Sequence, residues 1–340
     1  MQTMVGRGRT VLGAGLLLLA FVPTSCSSEA GSDEPSLDDG GTLDSAATDD
    51  SSSGSDTSDP STDGTVVADA GADAKVDSTV IATSTHFVVY GDSRSNPGPH
   101  QTVVDAFAKR NPQMVLATGD LWDGYGPAQW KTIVTKNANI ADLLAKNLFI
   151  VSRGNHETIT EVKAFAPTIL RDNTELYSFT FGNSFFVSLG MDPAGDAAYL
   201  KTQLSSAAAK AASWRFVYSH YPIYSAGPHG GDGIASIEAL CDEFGVTAYF
   251  TGHDHLYERS HQMKGQKVVD TGNALTTSKG VVYIVTGGGG APLYAAGKIA
   301  STHFTKSTLH FVDVTASATS VSVEAITPDG KTLDSFTIAK

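Results

Sequence analysis

Two short, glycine-led turns in this 340-residue chain carry side chains that bind metal ions: Gly154-Asn155-His156-Glu157 and Gly252-His253-Asp254-His255. Each turn follows an apolar run, residues 148–151 and 248–250, that predicts a buried strand. Ligands at the carboxyl end of a strand lie where α/β folds place their chemistry. His253 and His255 are two positions apart, so an extended turn lets both face one cavity. The sequence therefore predicts a metal site built from strand ends.

Three further segments add candidate ligands. Asp92 ends a Tyr-Gly-Asp run, Asp120 ends a Thr-Gly-Asp run, and His220 follows another apolar run. This set of carboxylates, amide and imidazoles is the inventory of a two-metal hydrolase. Two cations about 3.5–4 Å apart repel each other unless an anionic oxygen lies between them. Asp120 is the predicted bridging carboxylate, because it follows a strand in the middle of the series.

The remaining ligands divide between the two ions. Asp92 and His255 are predicted to hold the first ion with Asp120, and Asn155, His220 and His253 to complete the second. Imidazoles and carboxylates together suit Zn, Mn or Fe better than Ca or Mg. The expected nucleophile is a water or hydroxide between the ions, with a pKa that the ions lower.

A second group of side chains is placed to contact a substrate. His156 directly follows the ligand Asn155, so its side chain should project to another side of the site. That position favours stabilising the transferred group or protonating the leaving alkoxide. Glu157 is predicted to orient His156 through a hydrogen bond. His229, nine residues after His220, reaches the same mouth from a glycine-rich loop.

Strand-like and helix-like patterns alternate from residue 80 onward. Predicted strands cover residues 86–90, 114–117, 149–151, 214–218 and 248–250. Predicted helices cover residues 101–110, 129–146, 199–212 and 234–244, the last holding Cys241 as a small buried hydrophobe. Residues 177–189 predict a hairpin with a tight turn at Asn183-Ser184. Alternation with chemistry at strand ends predicts a layered α/β fold.

The C-terminal stretch is β-rich. Short strands are predicted at residues 281–286, 310–314, 320–326 and 333–338, with a turn at 328–330. They predict a second sheet packed on the first, within one domain that covers residues 80–340. The glycine run 287–290 lacks the Lys-Ser/Thr of a phosphate-binding P-loop and opens no helix. It is predicted to let the backbone pass close to the metal site.

The five ordered ligand segments resemble those of the calcineurin-like metallophosphoesterases, over residues 85–340. Within that family, residues 252–259, 280–289 and 329–336 are similar to the purple acid phosphatase branch. The resemblance implies a four-layer α/β/β/α sandwich of two mixed β-sheets flanked by helices, a dinuclear metal site and phosphoester hydrolysis. It assigns the same six ligands and makes His156 and His229 substrate-contacting residues.

The chain departs from the family pattern at two positions. Many members place a histidine two residues after the first aspartate, where this chain has Arg94. Purple acid phosphatases place a metal-bound tyrosine three residues after the second aspartate, where this chain has Asp123. Asp123 is therefore either a replacement oxygen ligand or a loop residue. Arg94 is always cationic and either clamps a phosphate oxygen or forms a structural salt bridge.

The N-terminal residues predict export. Arg7 and Arg9 precede an apolar stretch at residues 11–22 and small residues before Cys26, the plan of a secretory signal peptide over residues 1–25. The stretch is shorter than the roughly 20 residues that span a bilayer. Residues 22–26 resemble a bacterial lipobox, although Pro23 stands where leucine is usual. Cys26 is then the lipidated first residue of an extracytoplasmic lipoprotein, with the outer membrane the better-supported location.

Residues 26–79 predict a disordered acidic tether. Fourteen acidic side chains between residues 27 and 78 oppose only Lys75, and this segment carries the net charge of −13 of the whole chain. Serine, aspartate and glycine dominate it, so it cannot bury enough apolar surface to fold. Residues 79–340 carry a net charge of only −2. No basic patch points to nucleic acid.

These features together predict an extracytoplasmic, lipid-anchored phosphoesterase with two metal ions, which hydrolyses small phosphomonoesters in the manner of an acid phosphatase. Two alternatives stay open. One is a phosphodiesterase acting on nucleotides or phospholipids. The other is a surface-binding lipoprotein that keeps the fold with weak catalysis, which the presence of Arg94 supports.

Overall fold

The computed structural model describes residues 84–165 and 174–340, which hold sixteen strands and seven helices. The strands are β1 (Thr85–Tyr90), β2 (Met114–Ala117), β3 (Phe149–Val151), β4 (Tyr177–Phe181), β5 (Ser184–Ser188), β6 (Trp214–Tyr218), β7 (Ala248–Thr251), β8 (Tyr257–Ser260), β9 (Gln262–Lys264), β10 (Lys267–Asp270), β11 (Ala274–Thr276), β12 (Val282–Thr286), β13 (Thr302–Lys306), β14 (Phe311–Ala316), β15 (Ser320–Ile326) and β16 (Thr332–Ala339). The helices are α1 (Pro97–Ala108), α2 (Pro127–Thr135), α3 (Ala138–Ala145), α4 (Ile159–Phe165), α5 (Ala197–Leu204), α6 (Ala207–Ala211) and α7 (Ala235–Glu243).

Most strands belong to two mixed, seven-stranded sheets. The first has the order β11-β16-β15-β14-β1-β2-β3, in which β1, β2 and β3 run parallel. The second has the order β13-β8-β12-β7-β6-β5-β4, in which β5, β6, β7 and β12 run parallel. Parallel neighbours end at one edge of their sheet. The turns after β1, β2, β3, β6 and β7 are those that carry the predicted ligands.

The inner faces of the two sheets pack through aromatic rings. Phe87 of β1 lies 5.3 Å from Phe186, 5.1 Å from Phe216 and 6.2 Å from Phe250, measured between ring centroids. These three partners lie on β5, β6 and β7, so Phe87 joins one sheet to the other. All four rings are fully buried.

Helices cover both outer faces. Tyr90 points to the opposite face of β1 and packs on Phe107 of α1 at 5.1 Å. On the other sheet, Val217 and Tyr249 pack with α5 and α7 residues such as Leu200 and Ile237. The predicted α/β/β/α sandwich of two mixed sheets is confirmed.

The structure corrects several predicted element boundaries. The predicted helix 129–146 is two helices, because Asn137 has an extended backbone (φ −93°, ψ 119°) and its side chain donates a hydrogen bond to Asp105. The predicted helix 199–212 also breaks, where the Ser206 side chain accepts from the Ala209 N–H and starts α6. The hairpin turn is Gly182-Asn183, since Phe181 pairs with Ser184.

The C-terminal strands do not form a sheet of their own. β14, β15 and β16 extend the first sheet from β1, and β12 joins β7 in the second. The predicted separate second sheet is therefore wrong. Cys241 is fully buried in α7 as a free thiol, as predicted.

The predicted signal peptide (1–25), the tether (26–79) and the lipidated Cys26 lie outside the described residues. Within the described ranges, no helix combines the length and the apolar character that crossing a membrane requires.

Candidate metal centre

Strained backbone marks three of the predicted ligands. Asp92, Asp120 and His253 have φ of +58°, +54° and +70°, in the left-handed region. That conformation costs an L-residue about 1–2 kcal/mol, and such strain clusters at functional sites. The Gly252 backbone passes so close to Asp92 that an added Cβ would lie 2.5 Å from Oδ2. The strand ends thus hold these side chains in unusual but fixed directions.

A buried cluster forms the first half of the site. Asp92, Asp120 and His255 each offer one ligand atom, and these three atoms lie within 4.8 Å of one another. His255 Nε2 is 3.5 Å from Asp92 Oδ1. The other ring nitrogen, Nδ1, lies 2.7 Å from the carbonyl oxygen of Pro292, which can only accept. Nδ1 therefore carries the proton, and Nε2 turns a lone pair towards the two carboxylates.

The second half of the site is centred on His220. Its Nε2 lies 2.9 Å from Asn155 Oδ1, 3.2 Å from His253 Nδ1 and 3.4 Å from Asp120 Oδ1. Its Nδ1 donates to the carbonyl oxygen of Thr118 at 2.8 Å, so Nε2 again faces the cluster with a lone pair. Asp120 touches both halves, the position that a bridging carboxylate requires.

The donor set fits two cations of the Zn, Mn or Fe type. Carboxylate oxygens, an amide oxygen and imidazole nitrogens converge, and carbonyl groups fix the tautomer of His220 and His255. Two aspartates are buried side by side, at 0 and 1 % exposure. Buried carboxylates this close need compensating positive charge, which cations bound between them would supply. All six predicted ligands are thus brought together.

Burial and neighbouring groups shift the pKa values of two of the imidazoles in opposite directions. Burial lowers the pKa of His253 to about 4, and the adjacent His220 and His229 rings act in the same direction. Burial also opposes protonation of His255, but the hydrogen bond and charge of Asp92 outweigh it and raise the pKa of His255.

Asp123 and Arg94 lie beside the cluster. The Asp123 carboxylate lies 2.8 Å from His156 Nδ1 and 3.7 Å from Arg94 Nη1. Arg94 Nε donates to Asp120 Oδ2 at 3.1 Å. Asp123 is 46 % exposed and is not part of the buried triad of Asp92, Asp120 and His255.

His156 lies at the rim of the site. Its backbone N–H donates to Asp120 Oδ1 at 3.0 Å, and its Nε2 is 3.9 Å from Asp120 Oδ2. The predicted contact between Glu157 and the His156 side chain is wrong. Glu157 instead accepts from the backbone N–H groups of Leu121 and Gly154, because its side chain turns into the protein. Burial, followed by the charge of Asp120, raises the pKa of Glu157 to about 8.

His229 reaches the site from the loop after β6. Its ring lies 4.1 Å from that of His253, measured between centroids, and its Nδ1 is 2.7 Å from Asp254 Oδ1.

The backbone of the glycine run 287–290 passes close to the site, as predicted. The Gly289 N–H donates to the Gly91 carbonyl oxygen at 2.8 Å. The run 287–290 therefore crosses directly behind Asp92.

Sequence reasoning missed two residues at this site. Tyr294 stacks on His255 with centroids 4.1 Å apart and planes 12° apart. Asp254 is fully buried and binds His229. The position of Asp254 between two predicted ligand histidines could have pointed to a role at the site. Tyr294 lies in a loop with no ligand motif of its own, so its sequence context offered no comparable indication.

Comparison with known proteins agrees with this geometry. The family model for calcineurin-like phosphoesterases matches residues 85–257. Among solved structures, purple acid phosphatase PPD1 from yellow lupin (Lupinus luteus) seeds is similar, with a TM-score of 0.62 and 19 % identity. That match covers 75 % of this chain and 54 % of the lupin chain, so this chain spans about half the length of that relative.

A second similar structure is GAP50, the anchor in the inner membrane complex of Plasmodium. It matches with a TM-score of 0.55 and 16 % identity over 75 % of this chain and 89 % of that one. A search of curated proteins gave no significant match. The family model covers just over half of the chain and includes all five ligand segments, so the resemblance read from the motifs is confirmed. The chain belongs to the calcineurin-like phosphoesterase family.

Proposed function

We propose that this protein is an extracytoplasmic phosphoesterase with two metal ions, which hydrolyses small phosphomonoesters. The observation that carries the proposal is the place of Asp120. Its carboxylate lies in the buried triad with Asp92 and His255 and 3.4 Å from His220. One carboxylate shared by two ligand groups is what a bridged pair of cations needs.

The residues divide into two ligand sets and a rim. Asp92, Asp120 and His255 would hold one ion, and Asp120 with Asn155, His220 and His253 would hold the other. Ions bound there would lower the pKa of a water molecule and polarise the phosphoryl oxygens. The buried histidines keep their lone pairs directed inward through the carbonyl groups of Thr118 and Pro292.

The rim residue His156 is placed to supply a proton. Its Nδ1 lies 2.8 Å from the Asp123 carboxylate, and its Nε2 lies 3.9 Å from Asp120 Oδ2, at the edge of the site. Nε2 in its protonated form gives its proton to the leaving-group oxygen as the ester bond breaks. Asp123 keeps the ring in this orientation. This role accounts for Asp123 without making it a metal ligand.

Arg94 contributes charge at the same rim. It is 16 % exposed and donates to Asp120 Oδ2, so its guanidinium lies against the carboxylate that both ligand sets share. The Nη1 atom of the same guanidinium is directed at Asp123 and Ser95 and borders the space beside His156. A phosphate oxygen entering there meets a fixed planar cation.

The proposed location depends on the N-terminal residues. The signal-like residues 1–25, the lipobox-like run ending at Cys26 and the acidic segment 26–79 support an exported protein tethered by lipid to the cell envelope.

The test uses the full-length protein. Metal content is measured by mass spectrometry, and hydrolysis of p-nitrophenyl phosphate and bis-p-nitrophenyl phosphate is followed after loading with Zn, Mn or Fe. We expect about two metals per chain and faster hydrolysis of the monoester. Asp120→Asn should lose at least one metal and most turnover, whereas the exposed Asp142→Asn, far from the site on α3, should change neither.

The contrary outcomes are informative. Faster hydrolysis of the diester would replace the monoesterase with a phosphodiesterase. Two bound metals with no turnover of either ester would favour a binding role. GAP50 shows that this fold also occurs in an anchor protein.

A further inference from the structure

The turn that carries His253 and His255 also holds a buried carboxylate that faces away from the metal cluster. Asp254 has no exposed surface. It accepts the backbone N–H of His229 at 3.2 Å and lies 2.7 Å from His229 Nδ1 with the same oxygen, Oδ1. Its other oxygen accepts from the hydroxyl of Ser225. Both oxygens of a fully buried acid are therefore bound by one loop.

That loop, residues 225–229, is built around the carboxylate. The Ser225 hydroxyl oxygen accepts from the Gly227 N–H at 3.0 Å while its hydrogen goes to Asp254. A Cβ on Gly227 would lie 2.3 Å from the carboxyl carbon of Asp254. Only a glycine lets the backbone approach so closely. The loop thus surrounds the carboxylate with hydrogen bonds and close backbone contacts.

The arrangement fixes which nitrogen of His229 faces outward. A carboxylate only accepts, so Nδ1–H points to Asp254 and Nε2 is left for another partner. The ring centroid lies 4.1 Å from that of His253, with the planes tilted by 38°, and 5.4 Å from that of Tyr294, so both neighbours confine its rotation. Its side chain is 41 % exposed, so this free edge opens to the space above the metal ligands.

We propose that Asp254 is a positioning residue, which holds His229 in one tautomer and one rotamer so that Nε2 meets the phosphoryl group of the substrate. The inference rests on the proposed function and deepens it. One turn then supplies a ligand for each ion and also aligns the group that binds the substrate. Any shift of the metal turn moves His229 with it.

The experiment is a double-mutant cycle in the full-length, Zn-loaded protein. The variants are Asp254→Asn, His229→Gln and the double variant, each with metal content, kcat, KM and the Kd for inorganic phosphate. A misplaced contact group costs about 100-fold. We expect each single variant to lose about 10- to 100-fold in kcat/KM with two zinc ions retained. The double variant should be no worse than His229→Gln alone, because Asp254 acts through His229.

A second readout reports the tautomer directly. Histidine ¹H–¹⁵N spectra should show His229 protonated at Nδ1 in the wild type and a mixture of tautomers in Asp254→Asn. This readout needs no turnover. An inactive wild type would therefore refute the proposed function while the spectra still tested the role of Asp254.

Three results would overturn the inference: an unchanged kcat/KM and spectrum in Asp254→Asn, losses that multiply in the double variant, or loss of zinc from Asp254→Asn. The last would mean that Asp254 supports the ligands and not His229.

If Asp254→Asn does not fold, Ser225→Ala takes its place, since it removes one hydrogen bond to the carboxylate and keeps the charge. It should lower kcat/KM severalfold with zinc retained, and an unchanged value would refute the proposal.

Discussion

Gly154 occupies a position at which Asp120 leaves no room for a side chain. A Cβ there would lie 2.2 Å from both the backbone nitrogen and Oδ1 of Asp120. We therefore predict that Gly154→Ala displaces the Asp120 carboxylate and reduces the metal content below two per chain. The control is Gly98→Ala in α1, where a Cβ meets no atom within 4 Å. Native metal content and affinity in Gly154→Ala would show that the carboxylate tolerates the shift.

His156 acts late in the reaction if it protonates the leaving group. Its loss should then matter most for substrates whose alcohol leaves poorly. We predict that His156→Gln lowers kcat about 100-fold or more for an alkyl phosphate, and much less for p-nitrophenyl phosphate. Asp123→Asn should show the same substrate dependence with a smaller loss, because the histidine remains. His303→Gln on β13 is the matched control.

Equal losses on both esters would argue against this role. They would place His156 in binding of the phosphoryl group, since that contact is common to every substrate.

The convergence of the six candidate ligands could be predicted, because each follows a buried apolar strand and parallel strands end at one edge of their sheet. The side chains that contact these residues from neighbouring loops could not be predicted in the same way. Whether Asp123 meets a metal or His156 is decided by a contact across 33 positions of sequence, and local pattern does not encode it. Tyr294 lies on His255 only because the loop after β12 turns back across the site.

At the scale of elements, helix breaks depended on tertiary contacts. The periodicity over residues 129–146 is continuous, but Asn137 leaves the helix to bind Asp105 of α1. Likewise, the alternation of apolar and polar residues in β14 to β16 indicates which face of each strand is buried. It does not indicate which strand each one pairs with. The pairing of β14 with β1 brings together residues more than 200 positions apart.

The end of α1 is tied to the first sheet by a buried acid. Asp313 on β14 accepts from His86 Nε2 at 2.7 Å and from Arg110 Nε, just after α1. Burial alone would raise the pKa of Asp313, but the bonds and charges of His86 and Arg110 hold it below the usual 3.8. A depressed pKa means stability that is present above pH 3.8 and is lost as the pH falls through the folded-state value.

We predict that Asp313→Asn lowers the free energy of unfolding by about 2 kcal/mol at pH 7, a typical value for hydrogen bonds to a charged group. The difference from wild type should persist to pH 5 and shrink below about pH 3.8. Urea titrations across this range measure it. Glu324→Gln removes the exposed partner of the same Arg110 and should cost about 1 kcal/mol or less. A pH-independent difference would assign the effect to packing.

At the scale of the whole molecule, the metal centre depends on how the two sheets face each other. Asp92, Asp120 and Asn155 come from the first sheet, and His220, His253 and His255 from the second. The aromatic packing of Phe87 fixes the distance between the sheets through apolar contacts near the middle of β1. A directional contact is needed to fix their relative register.

Arg259 and Asp334 supply that contact. Arg259 lies on β8, just after the metal turn, and Asp334 lies on β16 of the other sheet. The guanidinium binds the carboxylate through Nε at 2.6 Å and Nη2 at 3.0 Å, with Arg259 fully buried. Tyr257 donates to the same carboxylate at 2.8 Å, and Phe336 lies under the guanidinium at 4.4 Å.

We predict that Arg259→Met or Asp334→Leu alone destabilises the protein by about 3–5 kcal/mol, because either leaves a buried charge without its partner. The double variant Arg259→Met/Asp334→Leu should recover most of that loss, since it leaves neither charge. Measuring the metal affinity of each variant distinguishes an effect on folding stability from an effect on the relative register of the two sheets. If the pair sets the register of the sheets, the double variant folds stably yet binds its metals more weakly than the wild type. Wild-type metal affinity in a stable double variant would mean that apolar packing alone aligns the two halves of the site.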